Sequence, residues 1–93
     1  METEIFDTVF DALCDTAAEA ANMKARAELM LGIRERVKAW RIPQEEAAKR
    51  LGLTRPRLND LLRGKIDKFS LDALVNIVTA AGYTLHIGIE EAA

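Results

Sequence analysis

Ninety-three residues, 49% of them hydrophobic but only five aromatic, suffice for one thin core, so the chain is expected to be a single domain over 1–93. Its net charge of −2 hides a lopsided distribution: residues 1–22 carry six acids and no base, residues 23–70 hold all 13 basic side chains against six acids, and residues 71–93 carry three acids. A lone Cys14 excludes an internal disulfide, and a lone His86 leaves no Cys/His set for zinc, so neither a metal nor another cofactor is expected. The acidic start has no basic n-region of a secretory signal, and the uncharged stretch 73–89, broken by Asn76, Thr79, Gly82 and His86, is short and polar for a membrane span. A cytoplasmic address without membrane contact is expected. Catalysis would require Ser70, Cys14 and His86 to converge, and Ser70 has a better use as a helix cap, so the chain is not expected to be an enzyme.

In chain order, Ile5, Phe6, Val9, Phe10 and Leu13 fall at helical spacing, with Asp7, Asp11 and Asp15 on other faces. This predicts a short amphipathic helix in an acidic N-terminal segment, 1–15, whose apolar face closes the domain's own core or meets a partner. Thr16 and Glu19 have capping-box spacing, which predicts the start of a second helix. Leu29, Ile33, Val37 and Trp40 give that helix a buried stripe, and it should end near Trp40 because Pro43 disfavours helical geometry just before it.

Two short helices follow, Gln44 to Leu51 and about Arg55 to Arg63. Gly52 stands where a glycine stops the first, Thr54 where an N-cap starts the second, and Pro56 is tolerable in a first turn. Ser70 caps a further helix running to Ala81, with Phe69 and Leu74 placed as a hydrophobic staple. Finally Tyr83, Leu85, Ile87 and Ile89 alternate with Thr84, His86 and Gly88, which predicts a strand over 83–89. A single strand must find a partner for its backbone groups. The expected source is the same strand of a second copy, with Tyr83, Leu85, Ile87 and Ile89 turned onto the helices.

The informative segment is Gln44 to Lys65, QEEAAKRLGLTRPRLNDLLRGK. Ala48 permits two helices to cross closely, Gly52 permits the turn, and Leu58 and Leu61 anchor the second helix. Thr54, Arg55, Arg57, Asn59 and Arg63 then lie at its start and along its free side, as suits a helix entering the major groove, where Arg pairs with guanine and Asn with adenine. Arg55 and Arg57 are open to base or phosphate contact. Lys65 and Lys68 are expected to face phosphate or solvent.

Over roughly residues 29–81 these features resemble the XRE or Cro type of helix-turn-helix regulator. Over nearly the whole chain, the order VFDAL, KARAELM, the Gln-Glu-Glu-Ala-Ala helix, LGLTRPRLNDLLRGK and FSLDAL is similar to the small HigA-type antitoxins. The resemblance implies a mostly α, lambda-repressor-like fold: a five-helix bundle with a helix-turn-helix at 44–64, a helical core over 16–81 and the short C-terminal strand paired in a homodimer. It implies a repressor that binds double-stranded operator DNA, controls its own operon and neutralises a HigB/RelE-like ribonuclease toxin. It places Gln44 on phosphate, Arg55, Pro56 and Asn59 toward bases, and Arg63 on phosphate. The partner-binding residues would be Phe6, Val9, Phe10 and Leu13. Two departures stand out: Pro43 where a Thr cap is frequent, and Arg55 where glutamine is common. A stand-alone regulator without a toxin, or an interaction module that no longer binds DNA, would have a similar sequence.

Overall fold

The computed structural model describes residues 16–92. Among them are four α-helices, α1 (Ala17–Trp40), α2 (Gln44–Leu51), α3 (Arg55–Leu62) and α4 (Leu71–Ala80), and one 3₁₀ turn (Ile66–Lys68). Three of the helices start on a hydroxyl. Thr16, Thr54 and Ser70 have extended backbone, and their side-chain oxygens accept from the amides of Glu19 at 3.0 Å, Arg57 at 3.3 Å and Ala73 at 3.1 Å. A cap of this kind contributes about 1 kcal/mol. Before α2 stands Pro43, which supplies no side-chain cap. The carboxylates of Glu45 and Glu46 in its first turn interact favourably with the positive end of the helix dipole instead.

The core draws one face from each element. Met30, Ile33 and Val37 of α1 pack with Ala47, Ala48 and Leu51 of α2, Leu58 and Leu61 of α3, and Leu74, Ile77 and Val78 of α4. Leu29 and Trp40, expected inside, only lean against this cluster, and Met30 takes a fully inward place. Phe69 and Leu74 are both buried, as a staple requires, which fixes the angle at which the chain enters α4. Arg26 ties α1 to the 3₁₀ turn: its Nη1 donates to the carbonyls of Ile66 at 3.0 Å and Phe69 at 3.3 Å.

The expected five-helix bundle with a C-terminal strand needs correction. The helix expected over 5–13 lies outside the described residues, and those residues contain four α-helices and no strand. After α4, Gly82 turns the chain at φ +91°, and residues 83–92 follow without regular structure. The side chains meant to face inward do not all do so. Tyr83 lies beside Arg36, 4.4 Å from guanidinium carbon to ring centroid, and Leu85 is half-buried, but Ile87 and Ile89 are 78% and 95% exposed. The cause is the ladder: alternation prepares a strand, but only neighbouring backbone makes one, and the described residues offer it only helices whose own groups are paired internally.

Candidate nucleic-acid interface

The crossing of α2 and α3 is set by small residues. Ala47 and Ala48 are buried at the contact, Gly52 leaves α2 at φ +70°, and the amide of Leu53 donates to the Ala48 carbonyl at 2.8 Å. Any side chain at position 52 would strain this left-handed backbone. The Thr54 cap then starts α3, with Pro56 in its first turn, and Leu58 and Leu61 are fully buried beneath it. With one side of α3 anchored, the other is fixed toward solvent. Thr54, Arg55, Pro56, Asn59 and Arg63 are all exposed, and so is Gln44 at the start of α2. Among the described residues the side chains of Arg55, Asn59 and Arg63 enter no hydrogen bond or ion pair, so their donors stand ready for a ligand.

Not every expected residue joins that face. The half-buried Arg57 is held against the protein surface: Nη1 donates to the Lys68 carbonyl at 2.6 Å, and its guanidinium carbon sits 4.0 Å from the centroid of the buried Phe69 ring. Lys65 lies 3.4 Å and Lys68 3.7 Å from the Asp60 carboxylate, which partly offsets their charge. Asp60 and its two lysines make a small network at the end of α3, which the spacing of residues had not indicated.

Cations from α1 extend the basic surface past α3. Arg34, Lys38 and Arg41 follow an i, i+4, i+7 spacing on α1 and its cap, and they line a groove of about 490 Å³ that reaches Leu62 at the end of α3. A Cβ built on Gly64 would lie 3.8 Å from Nη1 of Arg34, which places that guanidinium beside the turn leaving α3. The spacing of the three cations was visible in the sequence, but their position next to α3 depends on how α1 packs. No described group of His, Cys, Asp and Glu could hold a metal ion, and no described helix is long and apolar enough to cross a membrane.

Two short helices crossing over a glycine turn, with the second presenting free arginines and an amide, define the helix-turn-helix class of DNA-binding regulators. The model of the helix-turn-helix domain family matches residues 12–90, and the chain belongs to that family. No curated protein matches it.

Proposed function

We propose that this protein is a sequence-specific transcriptional repressor that docks α3 in the major groove of operator DNA. The observation that carries this reading is the free face of α3, where Arg55, Asn59 and Arg63 are exposed and unpaired while Leu58 and Leu61 bury the helix's other side in the core. Arg55 and Asn59, at the first and fifth positions of the helix, read base edges, with Thr54 and Pro56 beside them. Gln44 and Arg63 hold the phosphates on either side, and Lys65 adds charge at the rim. Two copies bind one operator, with half-sites about one helical turn, roughly 34 Å, apart.

The likeness of the sequence to the HigA-type antitoxins supports a second role: the repressor neutralises a basic RelE-like toxin and controls the operon that encodes both. The acidic segment 1–15, with Phe6, Val9, Phe10 and Leu13, has the charge and apolar content for that contact, and it lies outside the described residues. Electrophoretic mobility shift on the DNA upstream of the gene, with wild type, Arg55→Ala and Asn59→Ala, tests the DNA reading. Loss of discrimination between specific and random DNA in both variants supports it, and unchanged discrimination in both defeats it. Co-purification with the product of the neighbouring reading frame tests the toxin.

A further inference from the structure

The groove between α1 and the end of α3 has an unusual make-up for a surface that meets only DNA. Its apolar part is Leu31, Val37, Ile42 and Leu62, and Leu31 is 53% exposed at a position where a helix facing phosphate has no use for it. Its rim is Arg34, Lys38 and Arg41, with Glu35 the single acid. None of the three cations has an ion-pair partner among the described residues. An apolar floor with a basic rim fits an acidic amphipathic segment better than it fits a nucleic acid, because burial of the floor and pairing at the rim both require one.

The chain carries such a segment. Residues 1–15 contain Glu2, Glu4, Asp7, Asp11 and Asp15, no Lys or Arg, and Ile5, Phe6, Val9, Phe10 and Leu13 at helical spacing. We propose that the acidic segment 1–15 of a second copy occupies this groove, and that the exchange, made twice about a two-fold axis, builds the dimer. Reach decides between the chain's own segment and that of its neighbour. From Ala17, Leu31 lies about 21 Å along α1 and Arg41 about 36 Å, at 1.5 Å per residue. Residues 5–13 in the helical form their spacing favours span about 13 Å. The three residues joining them to α1 add about 10 Å when extended. A segment folded back on its own chain therefore only just meets the near end of the groove. A reciprocal exchange has no such restriction and makes the self-complementary contact that closed two-fold dimers use. In the proposed antitoxin, the segment is held by the groove when no toxin is bound.

The inference deepens the two-copy part of the proposed function and is tested by sedimentation equilibrium of the full chain, with DNA binding of the same variants measured alongside. Wild type should be dimeric at low ionic strength, and its dimer should weaken by about tenfold or more in 0.5 M salt, where surface charges are largely screened. The full-chain variant Arg34→Glu/Lys38→Glu/Arg41→Glu should be monomeric. Adding Asp7→Lys, Asp11→Lys and Asp15→Lys to it should restore the dimer by reversing both partners. All three rim residues are exposed, so circular dichroism should show the reversed variant to be folded, and Leu31→Asp gives a second variant aimed at the floor alone. A monomeric wild type, a dimer indifferent to the rim reversal, or a reversed variant that the second reversal does not rescue would each overturn the exchange. If rim reversal weakens DNA binding while the dimer persists, the groove belongs to the phosphate face and the inference fails. A monomer that still discriminates DNA through Arg55 and Asn59 defeats the exchange alone, and a dimer with no DNA discrimination defeats the operator reading alone.

Discussion

The guanidinium of Arg57 stands 4.0 Å from the centroid of the Phe69 ring, joining the first turn of the recognition helix to the residue that opens the path into α4. Its hydrogen bond to the Lys68 carbonyl fixes the same side chain from a second direction. This makes Arg57 a strut that holds α3 against the 3₁₀ turn.

Replacing it should therefore affect the whole site and no single base pair. Arg57→Ala should lower stability by about 1–2 kcal/mol, from a lost cation–π contact and a lost charged hydrogen bond. Affinity for specific and random DNA should fall together. Arg57→Lys keeps the charge but not the planar fork, so it should recover only part of the loss. Thermal melts and competition binding on matched and scrambled DNA check both. A loss confined to one base pair of the operator would show that Arg57 leaves Phe69 and reads sequence.

Gln44 and Arg63 flank that helix as phosphate contacts in the proposed mode. Arg63→Ala should flatten the dependence of log affinity on log salt by about 0.9, the release expected for one neutralised phosphate. Gln44→Ala, which removes no charge, should weaken all sequences without altering the slope. Lys65→Ala should change the slope by less than Arg63→Ala, because Asp60 at 3.4 Å already competes for that ammonium. A Lys65 effect equal to that of Arg63 would mean that the Asp60 pair opens on the DNA.

The parts of this structure that were legible in the sequence are those fixed by residues near one another in the chain. Thr16, Thr54 and Ser70 could be read as caps because each needs only an amide three residues away. The helix-turn-helix could be read because Ala48, Gly52, Leu58 and Leu61 act within fourteen residues of chain. What was not legible depends on distant residues. Arg57 meets Lys68 eleven positions on, and Arg26 reaches Ile66 across forty. The strand over 83–89 failed for the same reason: alternation is local, and the backbone that would complete a ladder is not.

Arg41 is the one described non-glycine residue with a positive φ, at 51°, where it ends α1 with its amide directed to the Lys38 carbonyl 3.4 Å away. A left-handed cap favours glycine, so Arg41→Gly should raise stability by about 0.5–1 kcal/mol. The same change removes a cation from the groove rim. The variant should therefore melt higher while its self-association weakens, and calorimetry beside sedimentation separates the two. A lower melting temperature would show that the arginine side chain contributes more than its backbone costs.

The end of α4 offers a test of coupling between two residues distant in sequence. Nε of Arg36 donates to the Ala81 carbonyl at 2.9 Å, capping carbonyls that the helix leaves unpaired, and Nη2 lies 3.4 Å from the Gly82 carbonyl oxygen. Gly82 has φ +91°, and a Cβ there would come within 3.1 Å of Nη2. Gly82→Ala thus incurs two separable costs, about 1 kcal/mol or more of backbone strain and a smaller one for displacing the guanidinium. Arg36→Ala should cost about 1–3 kcal/mol by leaving the Ala81 carbonyl without its donor. In the double variant the crowding term disappears while the strain remains, so the combined loss should be smaller than the sum of the single losses by about 0.5 kcal/mol or more. Urea denaturation of the four proteins measures the cycle. Strict additivity would mean that the arginine moves aside freely when the methyl group arrives, and that the end of α4 is held by its backbone alone.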